Sequence, residues 1–149
     1  NMKTKTKYTP LFTIKKNDTE FPQVKIKSSL DAYNFIRQFY FEDIEVYESF
    51  FILLLNRSKT TIGYAKISQG GIAGTVVDIR IIAKYALDSL ADAVILAHNH
   101  PSGNLQPSDQ DINLTKKTTQ ALKLIDVDIC DHVILTKNNY YSFADGGYL

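Results

Sequence analysis

The sequence predicts an α/β domain: a mixed sheet flanked by helices, read as α+β or as a three-layer α/β/α arrangement. Three observations predict it. Between residues 48 and 143 the apolar pattern switches repeatedly between the two-residue period of strands and the 3.6-residue period of helices. The segments so marked run hairpin, helix, strand, helix, hairpin, and that order makes a sheet with helices packed on it. At 149 residues, with 44% hydrophobic and 22% charged residues, the chain is long enough and apolar enough to bury one core.

Taken in order, residues 1–27 form a basic leader with two short extended segments, Leu11 to Ile14 and Val24 to Ile26, around a polar turn. The domain proper is predicted over 28–149. Ser28 or Ser29 caps a first helix with Asp31 in its first turn, and Ala32, Phe35, Ile36, Phe39 and Tyr40 make one apolar face. Phe41 to Tyr47 connects. Glu48 to Leu55 is a nearly continuous apolar run, as a buried strand would be, and Asn56 to Lys59 turns the chain into a second strand over Thr60 to Ile67. The glycines Gly70, Gly71 and Gly74 mark a loop without the Gly-Lys-Ser/Thr ending of a phosphate loop. A helix follows over Asp78 to Leu90, with Ile82, Tyr85, Ala86 and Leu90 apolar. A strand covers Asp92 to Ala97, and a second amphipathic helix covers Ser108 to Ile125, with Leu114, Thr118, Ala121, Leu122 and Ile125 on one side. Strands His132 to Thr136 and Tyr140 to Phe143 close the chain around a Lys137-Asn138-Asn139 turn.

Chemistry concentrates at the end of the Asp92–Ala97 strand. The chain has three histidines, and two of them, His98 and His100, stand one residue apart there. Side chains at i and i+2 of an extended segment point the same way, so both imidazoles converge on one point. Asp111 arrives after a loop stiffened by Pro101 and Pro107, early in the next helix. Two neutral imidazoles and a carboxylate suit zinc, and three protein ligands leave a fourth position open, as in catalytic sites. Asp111 alone would read as a favourable acid in a helix's first turn; the offset from the two histidines makes it the third ligand. Asp109, two positions earlier, points elsewhere. Asn99 faces away from the histidines by strand alternation.

His-x-His, seven residues, Ser108, two residues, Asp111: this spacing resembles the signature of the JAMM/MPN metalloprotease superfamily. Ala97-His98-Asn99-His100-Pro101-Ser102-Gly103, Pro107-Ser108 and Asp131-His132 are similar to its RadC branch, over about Tyr47 to Leu149. The resemblance implies a cytidine-deaminase-like three-layer core and a zinc-dependent hydrolase of peptide or isopeptide bonds that uses a metal-activated water. It implies that His98, His100 and Asp111 hold Zn2+, that Glu48 is the general base, and that Ser108 stabilises the oxyanion. It places the glycine loop at the border of the active site. Such proteins usually carry a helix-hairpin-helix module ahead of this domain, and residues 1–27 do not read as one.

The residues themselves leave some roles open. Glu48 begins a buried strand, a costly place for a charge unless the strand end meets a polar cleft, yet Glu42 and Glu45 lie nearby and any of the three also reads as a surface carboxylate. Ser108 followed three residues later by Asp111 is a helix-capping pattern compatible with a catalytic hydroxyl. His132 reads as a supporting or structural histidine, with a fourth ligand as the alternative.

Composition excludes several classes. One cysteine, Cys130, forbids an intramolecular disulfide and a thiolate zinc site, and reads as a buried, inert thiol. The His-x-Glu and Pro-Cys-x-x-Cys ligands of nucleobase deaminases are absent. No apolar run reaches membrane-spanning length and no signal peptide is recognised, so a cytoplasmic protein without a membrane partner is expected. Residues 1–27 hold seven lysines against Asp18 and Glu20, a balance of +5, which leaves −4 for the remainder of a chain whose net charge is +1. Such an arm reads as a solvated leader or as a weak nucleic-acid contact. Two functional classes therefore stand: a hydrolase with a peptide or protein substrate, and a DNA-repair-associated accessory or binding protein in which the domain is mainly a scaffold.

Overall fold

The computed structural model describes residues 4–13, 15–40, 43–71 and 74–149. Among these, five strands form one mixed sheet: β1 (Ser49–Leu55), β2 (Thr61–Gln69), β3 (Ala93–Asn99), β4 (Asp128–Leu135) and β5 (Tyr140–Ser142), in spatial order β2-β1-β3-β4-β5. β1 lies antiparallel to β2 and β3, β3 runs parallel to β4, and β5 returns antiparallel. The parallel β3–β4 step needs a crossover, which α3 (Asp109–Lys123) supplies. The helix α1 (Ser29–Ile36), extended by a tight turn over Arg37–Phe39, and the helix α2 (Ile79–Ser89) complete the described helices.

Strand alternation divides the core in two. Phe51, Leu53 and Leu55 with Ala93, Ile95 and Ala97 pack against Phe35, Ile36 and Phe39 of the first helical segment. Phe50, Ile52 and Leu54 with Val94 and Leu96 pack against Ile82 and Ala86 of α2 and Leu122 of α3. The result is three layers, α/β/α, as the patterning predicts. β1 and β3 are buried along their whole length, which is why they read as near-continuous apolar runs.

Several elements differ from the sequence reading. Leu11 to Thr13 forms no strand, and Leu11 and Phe12 are almost fully exposed because no strand edge lies beside them; Ile14 lies outside the described residues. Val24 to Ile26 reduces to one bridge, Lys25 to Thr60. Leu90 does not join the core: it ends α2 in the left-handed conformation (φ 52°), which turns its side chain into solvent. β4 begins four residues before His132, because Asp128 and Ile129 pair with Ala93 and Val94. On α3 the buried stripe is Thr115, Thr118 and Leu122, and Ile125 lies beyond the helix end, exposed. Cys130 sits inside β4 and half-buried, and burial raises its thiol pKa. No described helix is long and apolar enough to cross a membrane.

Candidate metal centre

The sheet register assembles the site. Phe50 pairs with His98, so two residues further along the same antiparallel register Glu48 stands opposite His100. Glu48, Phe50, His98 and His100 therefore share the face covered by α2 and α3. They open into a cleft of about 690 Å³, also lined by Ser108, Asp111 and Leu114 from the α3 side and by Gly74 to Val77 from the glycine loop. The loop borders the cleft as the resemblance implies.

His98 Nε2 and His100 Nε2 are 3.0 Å apart. Asp111 reaches both: Oδ1 lies 3.3 Å from His98 Nε2 and Oδ2 lies 3.3 Å from His100 Nε2. Tetrahedral zinc with bonds of about 2.0–2.1 Å separates its ligand atoms by about 3.3 Å, so the three groups already stand at ligand spacing. Glu48 Oε1 is further back, 3.8 Å from His98 Nε2. Glu48, His98 and His100 also offer ligand atoms within 4.8 Å of one another. The shorter, doubly matched contacts favour Asp111 as the third ligand, with Glu48 one step away.

Each group is held from outside the cleft. His100 Nδ1–H donates to the carbonyl of Asn104 at 2.6 Å, and a carbonyl only accepts, so His100 Nε2 is the nitrogen free to bind. Ser108 caps α3 in a reciprocal box: its Oγ accepts from Asp111 N–H at 3.0 Å, and Asp111 Oδ2 accepts from Ser108 N–H at 2.9 Å. The capping role of Ser108 is thus present, and its hydroxyl proton remains free to point into the cleft. Of the three candidate glutamates, Glu48 faces the imidazoles. Glu45 pairs with Lys137 at 3.4 Å on the rim, and Glu42 lies outside the described residues.

The electrostatics call for positive charge. The hydrogen bond with Asp111 raises the pKa of His100 against the opposing effect of burial. Burial alone would raise the Asp111 pKa, but its contacts with the His100 and His98 imidazoles outweigh it and hold the carboxyl far below the usual range. Asp111 is therefore ionised at any ordinary pH, between two nitrogens.

Four residues here take roles that the sequence alone did not show. Asn99, fully buried on the opposite face, donates through Nδ2 to the carbonyls of Ile44 (2.6 Å) and Tyr47 (2.7 Å) and accepts from Ser49 N–H (2.8 Å). It ties the segment that leads into Glu48 to the histidine strand. Gly74, at φ +116°, lets the loop pass so close that a Cβ there would lie 3.0 Å from Glu48 Oε2. Asn104 orients His100, and Thr115 lies buried one turn after Asp111. The available signal was the polar Thr115 on the buried side of an amphipathic helix. His132 stands behind His98, its Nε2 2.7 Å from His98 Nδ1, so it supports a cleft imidazole rather than entering the cleft. Burial, then the neighbouring His98, lowers the His132 pKa and keeps its ring neutral.

A family model for the RadC-like JAB domain matches residues 26–148. The chain is 46% identical over 123 residues to a UPF0758 protein of Flavobacterium johnsoniae, which covers 83% of this chain and 53% of that protein. It is 45% identical over 103 residues to a UPF0758 protein of Porphyromonas gingivalis, covering 68% and 45%. A UPF0758 protein of Neisseria meningitidis is 43% identical over 97 residues, covering 65% and 43%. The chain spans about half the length of the curated relatives it matches.

Proposed function

This chain belongs to the RadC-like JAB domain family, and from that premise and the geometry of the cleft we propose that it is a zinc-dependent hydrolase of peptide or isopeptide bonds. The observation that carries the proposal is the convergence of His98 Nε2, His100 Nε2 and the Asp111 carboxylate at 3.0–3.3 Å, with no lysine or arginine among the described residues that line the cleft to neutralise them. Acceptors this close repel one another unless a cation or a proton lies between them. Zinc, when bound, supplies Lewis-acid activation of water and of the scissile carbonyl.

The remaining work falls to the chain's own residues. Glu48, set back from the ligand spacing, takes the proton of the attacking water at its carboxylate and later delivers it to the leaving amine. Ser108, whose hydroxyl proton is not consumed by the helix cap, donates to the oxygen that gains charge as the carbonyl is attacked. His100 and Asp111 stay fixed by Asn104 and by the capping box, so little reorganisation accompanies the reaction.

The test combines metal analysis with activity. The unaltered protein is expected to bind about one zinc per chain, and the His98→Ala, His100→Ala double variant to lose it while staying folded. Glu48→Gln is expected to keep zinc while hydrolysis of a peptide library falls on the order of 10²–10⁴-fold. Undiminished zinc in the double variant removes the ligand assignment, and loss of zinc in Glu48→Gln makes Glu48 a ligand.

A second reading, a DNA-associated accessory protein, is favoured by one observation. Lys5, Lys7, Lys15 and Lys16 stand exposed on a segment without regular structure, free to meet phosphates.

A further inference from the structure

His132 is fully buried, between the stacked ring of Phe143 (centroids 4.5 Å apart) and the edge-on ring of Phe50 (5.6 Å). Its two nitrogens have one polar partner each. Nε2 is 2.7 Å from His98 Nδ1, and Nδ1 is 2.5 Å from Thr115 Oγ1. Thr115 Oγ1 is in turn 2.7 Å from the carbonyl oxygen of Asp111.

The order of protons along this chain follows from what its far end can do. A carbonyl only accepts and a hydroxyl has one proton. The Thr115–Asp111 contact is attractive only if that proton lies between them. Thr115 then offers His132 a lone pair, so the His132 proton sits on Nδ1. His132 Nε2 becomes an acceptor, so the His98 proton sits on Nδ1. His98 Nε2 is left bare, and it is the atom that faces His100 and Asp111. The opposite order turns a lone pair of Thr115 toward the carbonyl at 2.7 Å and places on His98 Nε2 the proton that the first order leaves on His100 Nε2, 3.3 Å from Asp111 Oδ2. Thr115 is only 2% exposed, so in that order bulk water cannot stand in for the lost bond.

We propose that Thr115 is a positioning residue that, through His132, holds His98 in the tautomer with a free Nε2 and so prepares the metal site from its buried side. The purpose of the free nitrogen rests on the zinc reading above; the proton order does not. The arrangement links all three tiers of the site. Thr115 lies one turn beyond Asp111 on α3, His132 is on β4 and His98 is on β3, so the same hydroxyl that orients one ligand bonds the backbone of another.

Long-range proton–nitrogen NMR of the metal-free protein near neutral pH reads which nitrogen of each ring carries the proton. His98 and His132 are both expected to carry it on Nδ1; His98 protonated on Nε2 overturns the proposal with no variant needed. Thr115→Val keeps the shape and removes both donor and acceptor. Its zinc affinity, measured by chelator competition, is expected to fall about 10–100-fold, with the His98 tautomers now mixed. Thr115→Ser, which keeps the hydroxyl, is expected to stay close to the unaltered protein on both readouts. A folded Thr115→Val with unchanged zinc affinity and an unchanged His98 tautomer also overturns the proposal. Unaltered protein that binds no zinc refutes the hydrolase reading instead, and the tautomer measurement still decides this one.

Discussion

Asn99→Ala tests whether Glu48, the proposed general base, is placed by the opposite face of the sheet. The side chain has no solvent contact and makes three hydrogen bonds of 2.6–2.8 Å, all to the segment Ile44 to Ser49. Removing it strands the Ser49 amide and the carbonyls of Ile44 and Tyr47. At about 1 kcal/mol net for each bond, the loss is about 3 kcal/mol. For a domain of this size that corresponds to a fall in Tm of about 6–12 °C. Urea unfolding followed by circular dichroism gives the stability. Asn99→Asp, of the same shape, is the sharper control: it turns an acceptor toward two carbonyls and buries a charge, so it is expected to lose at least as much. The functional readout separates placement from general weakening. Zinc affinity is expected to stay near that of the unaltered protein, because His98, His100 and Asp111 are held by other partners. Hydrolysis is expected to fall about 10²-fold, the effect of misplacing a reacting group by about 1 Å. A stability loss below about 1 kcal/mol, or zinc affinity falling in step with hydrolysis, refutes the reasoning.

Zinc affinity is expected to rise with pH. The Asp111 carboxylate holds a proton on His100 to a pH above the ordinary histidine value, and that proton competes with the metal for the same nitrogen. The sign follows: affinity is weakest at acid pH and levels off only once His100 is neutral, and a flat profile between about pH 6 and pH 8 contradicts the assignment. Gly74→Ala places a methyl 3.0 Å from Glu48 Oε2 at a φ of +116°, so hydrolysis is expected to fall about tenfold or more with zinc retained; a fully active variant shows that the loop yields without moving Glu48. If the exposed lysines contact DNA, binding is expected to weaken with salt by about 0.9 in log K per phosphate engaged, and deletion of residues 1–27 to remove it with the metal site intact. Tight binding at physiological salt that survives loss of His98 and His100 would instead put the DNA-accessory reading first.

The layers were legible because β1 and β3 are buried on both faces and α2 is buried on one, so each carries the period its environment imposes. What escaped depended on neighbours distant in sequence. Asp128 and Asp131 break the apolar pattern at the start of β4, and nothing local reveals that Asp131 accepts bonds from His132 N–H, Ser142 Oγ and Ala144 N–H and so anchors the C-terminal turn. Leu90 has the composition of a core residue, and only its left-handed backbone removes it from the core. The stripe on α3 is met at Leu114, Thr118, Ala121 and Leu122 and missed at Thr115, which counts as polar until Asp111 and His132 satisfy its hydroxyl.

The site divides along the same line. His98, His100 and Asp111 lie within fourteen residues of chain, so strand alternation and one loop bring them together, and local reasoning reaches them. Glu48 is fifty residues from His98 and meets it only through the register of β1 against β3. A shift of one residue in that register would turn Glu48 to the α1 face and leave the cleft with no facing base. Asn99 guards against such a slip: its bonds to Ser49 and to the turn before it are made from the face opposite His98. The strand that presents two imidazoles on one side therefore fixes, from its other side, the segment that presents the carboxylate. The proposed metal ligands can be read from spacing, while the placement of the proposed base is a property of the sheet.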